Sequence, residues 1–131
     1  MKRVLFVCLG NSCRSQMAEA FARRLCFDVM EAASAGLMPA STIAPPVHEV
    51  MAEKGIELGE HFPKPLEWMK PADFDLIVNM SGFPLTEVGA TPVVEWTVED
   101  PIGGNLKKFR RVRDQIEEHV LKLAARFRNG A

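Results

Sequence analysis

The chain has 131 residues, 47% of them hydrophobic and 25% charged, with a formal net charge of -1. That is enough chain for one sizeable core and the make-up of an ordinary soluble globular domain, which excludes a disordered segment. The longest uncharged stretch, Ala32 to His48, is interrupted by Pro39, Pro45 and Pro46 and cannot form a bilayer-spanning helix. Charge is zoned: Lys2, Arg3, Arg14, Arg23 and Arg24 face only Glu19 in the first 25 residues, the segment from 105 onward is basic, and the middle is acidic. The whole lacks the positive excess of a nucleic-acid binder, so neither nucleic acid nor membrane is expected as a partner.

In chain order, Val4-Leu5-Phe6-Val7 reads as a strand buried on both faces. The apolar run stops at Cys8-Leu9 and is followed by Asn11 and Arg14, so no export signal is expected. Gly10-Asn11-Ser12 is a loop signal, and from Ser15 to Cys26 the spacing of Met17, Phe21 and Leu25 predicts a helix. Ala32 to Gly36 fits a second strand. A second helix is expected over Val47 to Ile56, after Pro45-Pro46, with Gly55 near its end. Phe74 to Met80 and Pro92 to Val98 read as further strands. Leu106, Phe109, Val112, Ile116, Val120, Leu123 and Phe127 form one apolar stripe of a final helix, with Asn105 as its N-cap and Gly130 beyond its end. Alternating strands and helices indicate an α/β domain with a mainly parallel sheet, whose ligand crevice lies at the carboxyl ends of the strands. Three cysteines, Cys8, Cys13 and Cys26, are an odd number in a chain that needs no staples, which points to a reducing compartment and a cytoplasmic location.

The chemistry concentrates in Cys8-Leu9-Gly10-Asn11-Ser12-Cys13-Arg14-Ser15, between the first strand and the first helix. A loop entering a helix N-terminus turns backbone N–H groups inward and adds the positive end of the helix dipole, which makes an anion cradle. Gly10 lets the backbone close up. Arg14 supplies a planar fork for two oxygens of a tetrahedral oxyanion, and a Cys8 thiolate at the mouth is placed for attack on its centre. Alone, the cysteine and arginine are equally compatible with a buried strand end and a surface helix residue; the strand–loop–helix context selects the cradle. A leaving-group acid is expected at Asp100, stiffened by Pro101, with Glu99 as its competitor. Cys26 reads as core. No metal is expected, because no cysteine or histidine pair has zinc-ligand spacing, and no cofactor is called for.

Residues 7–19, Val-Cys-Leu-Gly-Asn-Ser-Cys-Arg-Ser-Gln-Met-Ala-Glu, resemble the signature of the low-molecular-weight protein tyrosine phosphatase superfamily, which includes thioredoxin-coupled arsenate reductases. Ser34-Ala35-Gly36, Glu99-Asp100-Pro101 and Phe109 to Asp114 resemble further segments of it, in the same order. The resemblance implies one three-layer α/β/α domain over residues 1–131, around a mainly parallel four-stranded sheet. It implies Cys8 as a nucleophile forming phosphocysteine, Arg14 as the phosphate clamp and Asp100 as acid then base. Leu9, Gly10, Asn11, Ser12, Cys13 and Ser15 would line the phosphate, with Asn11 shaping the loop and Ser15 bonding the Cys8 sulfur. Cys13 would either pack the helix start or form a protective disulfide with Cys8.

The activity expected first is hydrolysis of phosphotyrosine-type monoesters, with a phosphorylated protein or a small phosphomonoester as partner. No tyrosine is present to wall the pocket, which leaves Phe62, Phe83 or Trp96 as substitutes and phosphoarginine as another substrate. The alternative is arsenate reduction, towards which Ser12 to Met17 lean in wording. Members with an internal thiol relay carry two cysteines after the 74–80 strand, whereas this chain has Met80-Ser81-Gly82-Phe83-Pro84-Leu85. A reductase would therefore borrow an external thiol or a glutaredoxin-like partner. A third reading is a non-catalytic oxyanion-binding or redox-sensing module.

Overall fold

The structure, a computed structural model, describes residues 1–130. Strand β1 (Lys2–Cys8) leads into α1 (Arg14–Leu25), then β2 (Met30–Gly36), α2 (Pro45–Ala52), β3 (Leu76–Asn79), β4 (Val93–Glu95) and α3 (Leu106–Arg128). All strand pairs are parallel, in the order β2-β1-β3-β4. The chain steps from β1 to β2 on one side and then returns to β3 on the other. The winding thus reverses between β1 and β3, which opens a crevice at their carboxyl ends.

Alternation along β1 divides the core. Val4, Phe6 and Cys8 join the cluster formed with α1, α2 and α3, while Leu5 and Val7 join Phe74 and Ile77 on the opposite face. The two outer layers are unequal. All three α-helices contribute to the first cluster, and α3 buries Phe109, Val112, Ile116, Val120 and Leu123 along the expected stripe. The second face is covered by loops and two short 3-10 turns, Leu66–Trp68 and Pro71–Asp73, with Leu66, Met69, Leu85 and Val88 against the sheet.

Element ends differ from the sequence expectations for local reasons. The second helix begins at Pro45 and ends at Ala52, because its two prolines occupy the first positions, where no intrahelical N–H is needed. Gly55 lies beyond it at φ 72°. The strand expected over 92–98 contracts to Val93–Glu95: once the Trp96 N–H has bonded the Asn79 carbonyl (3.0 Å), the chain leaves the sheet edge. Phe74 caps a 3-10 turn, so β3 starts only at Leu76. Asn105 caps α3 through a bond from the Lys108 N–H to its Oδ1 (3.0 Å). No helix is long and apolar enough to cross a membrane among the described residues.

Candidate active site

The loop after β1 is held from outside. Its carbonyls at Cys8, Leu9, Gly10 and Ser12 accept from the N–H groups of Leu37, Met38, Ala40 and Ala44, at 3.2, 2.8, 2.9 and 3.0 Å. With the carbonyls committed outward, the N–H groups are left to the concave side. Among the described residues, none of those of residues 10–14 donates to another backbone group. Buried amides without partners are costly, and a bound oxyanion would satisfy them. The loop and the end of β2 are in such close contact that a Cβ at Gly36 would lie 2.8 Å from the Leu9 carbonyl oxygen and 2.9 Å from the Asn11 nitrogen. Glycine is therefore needed at 36. At Gly10 a Cβ would meet Ser12 Oγ at 3.3 Å, so the closeness expected there is the lesser of the two.

Asn11 has a left-handed φ of 49°, which asparagine tolerates better than most residues. Its Nδ2 donates to Ser15 Oγ (2.7 Å), and its Oδ1 accepts from the Lys64 N–H (3.0 Å) and from Gln16 Nε2 (3.1 Å). Ser15 Oγ lies 2.9 Å from Cys8 Sγ. That oxygen accepts from Asn11 and keeps its own hydroxyl proton for a bond to the sulfur, an arrangement open to a sulfur anion. Cys8 itself is 2% exposed. Cys13 opens α1 as its N-cap residue, and burial, then the neighbouring Cys8 and Asp100, push its thiol well above the usual range. All three cysteines are free thiols.

Arg14, 6% exposed, reaches under the crevice. Its Nη1 donates to the Met80 carbonyl (2.6 Å) and the Val98 carbonyl (3.1 Å), from the segments after β3 and β4, and Nη2 lies 3.6 Å from Asp100 Oδ2. Asp100 Oδ1 accepts from the Ile102 N–H (3.1 Å). The structure thus brings Asp100 to the arginine and takes Glu99 elsewhere. Glu99 pairs with Lys108 (3.4 Å) and Arg111 (3.2 Å) on α3, which hold its carboxyl below the ordinary glutamate range, Lys108 most strongly. Leu9 and Gly10 are partly exposed and Ser12 is buried at the rim. Of the three aromatic candidates for a pocket wall, Trp96 belongs to the core, stacked on His119 (4.9 Å) beside Phe6 (5.8 Å). Phe62 and Phe83 are exposed.

Sequence reasoning did not assign the polar layer beneath the loop. Gln16, fully buried, donates also to the Asn11 and Phe62 carbonyls and shares a bond with His61 Nδ1 (2.9 Å). Glu19, 3% exposed, accepts from Ser34 Oγ and pairs with Arg23 at 2.8 Å. Burial pushes the His61 imidazole and the Lys64 ammonium down. The available signal was two polar residues on the helix face that also carries Met17, Ala20 and Phe21. Among the described residues, no group of three side chains is arranged to hold a metal ion.

Similarity to known proteins bears on this site. The sequence model of the family described as low molecular weight phosphotyrosine protein phosphatase matches residues 3–130. The glutaredoxin arsenate reductase of Synechocystis is 38% identical, over 96% of this chain and 98% of its own. Among solved structures, an arsenate reductase in the phosphate binding state has a TM-score of 0.91 at 37% identity, covering 97% of this chain and 99% of its own. An arginine phosphatase from Geobacillus stearothermophilus reaches 0.85 at 27% identity, covering 99% and 95%. The hydrolase expected first is supported at the level of the family, and the more similar relatives favour the reductase alternative. The chain belongs to the low molecular weight phosphotyrosine protein phosphatase family, as an enzyme of its arsenate reductase-like branch.

Proposed function

We propose that this protein reduces arsenate to arsenite with electrons from external thiols, in the cytoplasm, where thiol pools are kept reduced. The observation that carries the reading is full-length similarity to a glutaredoxin arsenate reductase. The site described above supports it. Arsenate is a small tetrahedral oxyanion that needs no aromatic wall, and its oxygens fit the unpartnered amides and the Arg14 guanidinium. The Cys8 thiolate attacks arsenic. Asp100 gives a proton to the departing hydroxide, water leaves, and a Cys8 sulfur–arsenic(V) bond remains.

No cysteine follows Cys26, and the buried Cys13 thiol is held protonated, so the next sulfur comes from outside. A thiol RSH attacks the Cys8 sulfur, the sulfur–arsenic bond breaks, and its electron pair stays on arsenic as arsenite departs. The mixed disulfide between Cys8 and R is opened by a glutaredoxin thiol, which frees Cys8 and takes up R, and a second RSH then releases R from the glutaredoxin as RSSR. In sum, arsenate and two RSH give arsenite, RSSR and water.

The test is arsenite production with glutathione and a glutaredoxin, with Cys8→Ser as blank and p-nitrophenyl phosphate as the competing substrate. Thiol-dependent arsenite, slowed by Asp100→Asn, is the expected outcome. Cys8-dependent hydrolysis of the phosphate ester with no arsenite from any thiol would return the protein to the hydrolases.

A further inference from the structure

Arg14 is aimed by backbone carbonyls, and the nearer one belongs to a peptide group whose orientation is set elsewhere. The Met80–Ser81 peptide presents its carbonyl oxygen to Arg14 Nη1 at 2.6 Å. The N–H of the same rigid, planar group points the opposite way. It donates to Asn79 Oδ1 at 3.0 Å. Pinning one end of the plane therefore fixes the other. Asn79 does this from the end of β3, at 1% exposure.

The pin is itself braced. Asn79 Oδ1 also accepts from Ser81 Oγ (2.7 Å), and Nδ2 donates to the Phe83 carbonyl (2.7 Å) and to Glu95 Oε2 (3.1 Å). The backbone carbonyl of Asn79 accepts from the Trp96 N–H (3.0 Å), which registers the strand whose continuation carries the second seat, Val98. The nearer of the two carbonyls that hold the guanidinium thus traces back to the Asn79 side chain, and the other follows a strand that the Asn79 backbone carbonyl registers. Without the pin, the Met80–Ser81 plane is free to turn and Arg14 to close on Asp100, which already stands 3.6 Å from Nη2. N–H groups needed by the oxyanion would then be spent on the carboxylate.

We propose that Asn79 is a positioning residue for Arg14: it orients the Met80 carbonyl so that the free edge of the guanidinium faces the bound oxyanion. This rests on the oxyanion reading of the site, whichever reaction follows. The test is calorimetric titration with inorganic phosphate of the wild type, Asn79→Ala, Arg14→Ala and the double variant, each checked for cooperative thermal unfolding. Loss of a buried hydrogen bond of this kind is expected to weaken phosphate about tenfold in Asn79→Ala. In the Arg14→Ala background the same change should have no further effect, because a residue acting through the arginine has nothing left to act on.

Additive losses, or Asn79→Ala binding like wild type, overturn the proposal. Should Asn79→Ala fail to fold, Asn79→Asp with Glu95→Gln decides. It keeps the acceptor for the Ser81 N–H, gives up the donor to the Phe83 carbonyl and avoids two facing carboxylates. Phosphate affinity nearer to wild type than to Arg14→Ala supports the pin, and affinity nearer to Arg14→Ala sinks it. A wild type that binds no phosphate would overturn the oxyanion reading and this proposal together.

Discussion

The loops after β1 and β3 meet at Arg14 and are built in opposite senses. The first commits its carbonyls outward to residues 37–44 and leaves the N–H groups of residues 10–14 without a backbone acceptor. The second commits an N–H outward, to Asn79, and turns a carbonyl inward to the arginine. On the oxyanion reading proposed above, one loop would meet the anion directly with the positive ends of its peptide dipoles, and the other would hold the cation that meets the anion. Only the first carries a recognisable sequence signature, because a glycine, an arginine and a nucleophile are needed at fixed places around a ligand. A carbonyl is supplied by any residue, so the second leaves no comparable mark.

The largest effect expected from breaking this division is chemical. Cys8→Ser should lower turnover by about a thousandfold or more while phosphate still binds, since the cradle is amide and guanidinium rather than sulfur. Residual turnover near the wild-type rate would place the nucleophile elsewhere. Next comes a pair of glycine substitutions compared by chemical denaturation. Gly36→Ala forces a Cβ to within 2.8 Å of the Leu9 carbonyl oxygen, so it should cost about 1–3 kcal/mol and impair phosphate binding. Gly82, in the second loop, has φ 81° and open space around it. Alanine there should cost only the left-handed conformation, about 1 kcal/mol, with less effect on binding. The reverse ranking would refute the view that the first loop is set by contact and the second by backbone conformation.

The smallest effect lies away from both loops. Glu53 accepts from Arg110 and Arg113, which hold its carboxyl down to about 2. A carboxyl lowered in the folded state stabilises above its ordinary range, and that contribution is lost as pH falls through the folded value. Glu53→Gln should therefore lower the melting temperature slightly at neutral pH, with the gap closing as the pH falls towards about 2, and leave phosphate binding alone. A gap that persists at the acid end would mean that the pairing contributes through packing rather than charge.

Particular residues show where the sequence was informative. Cys8 to Ser15 and the α3 stripe were legible because each obeys a spacing rule, ligand geometry in one case and helical period in the other. The sequence favours Asp100 over Glu99 for its place before Pro101, although the two are neighbours of the same chemistry. Their directions are decided by Lys108 and Arg111 on α3 and by Arg14 across the crevice. Trp96 looked available as a wall, yet it packs between Phe6 and His119. Asn79 reads as a polar strand end, and nothing local says that its side chain turns back on the next peptide.

The outward bonding of the first loop means that a short peptide spanning residues 7–19 would carry every letter of the signature and still have no cup. Its carbonyls would turn to water, its amides would follow, and the thiol and guanidinium would drift apart. Transplanting the motif onto another scaffold accordingly requires two strand ends, with a glycine closing the second and a segment such as 37–44 to take up the carbonyls.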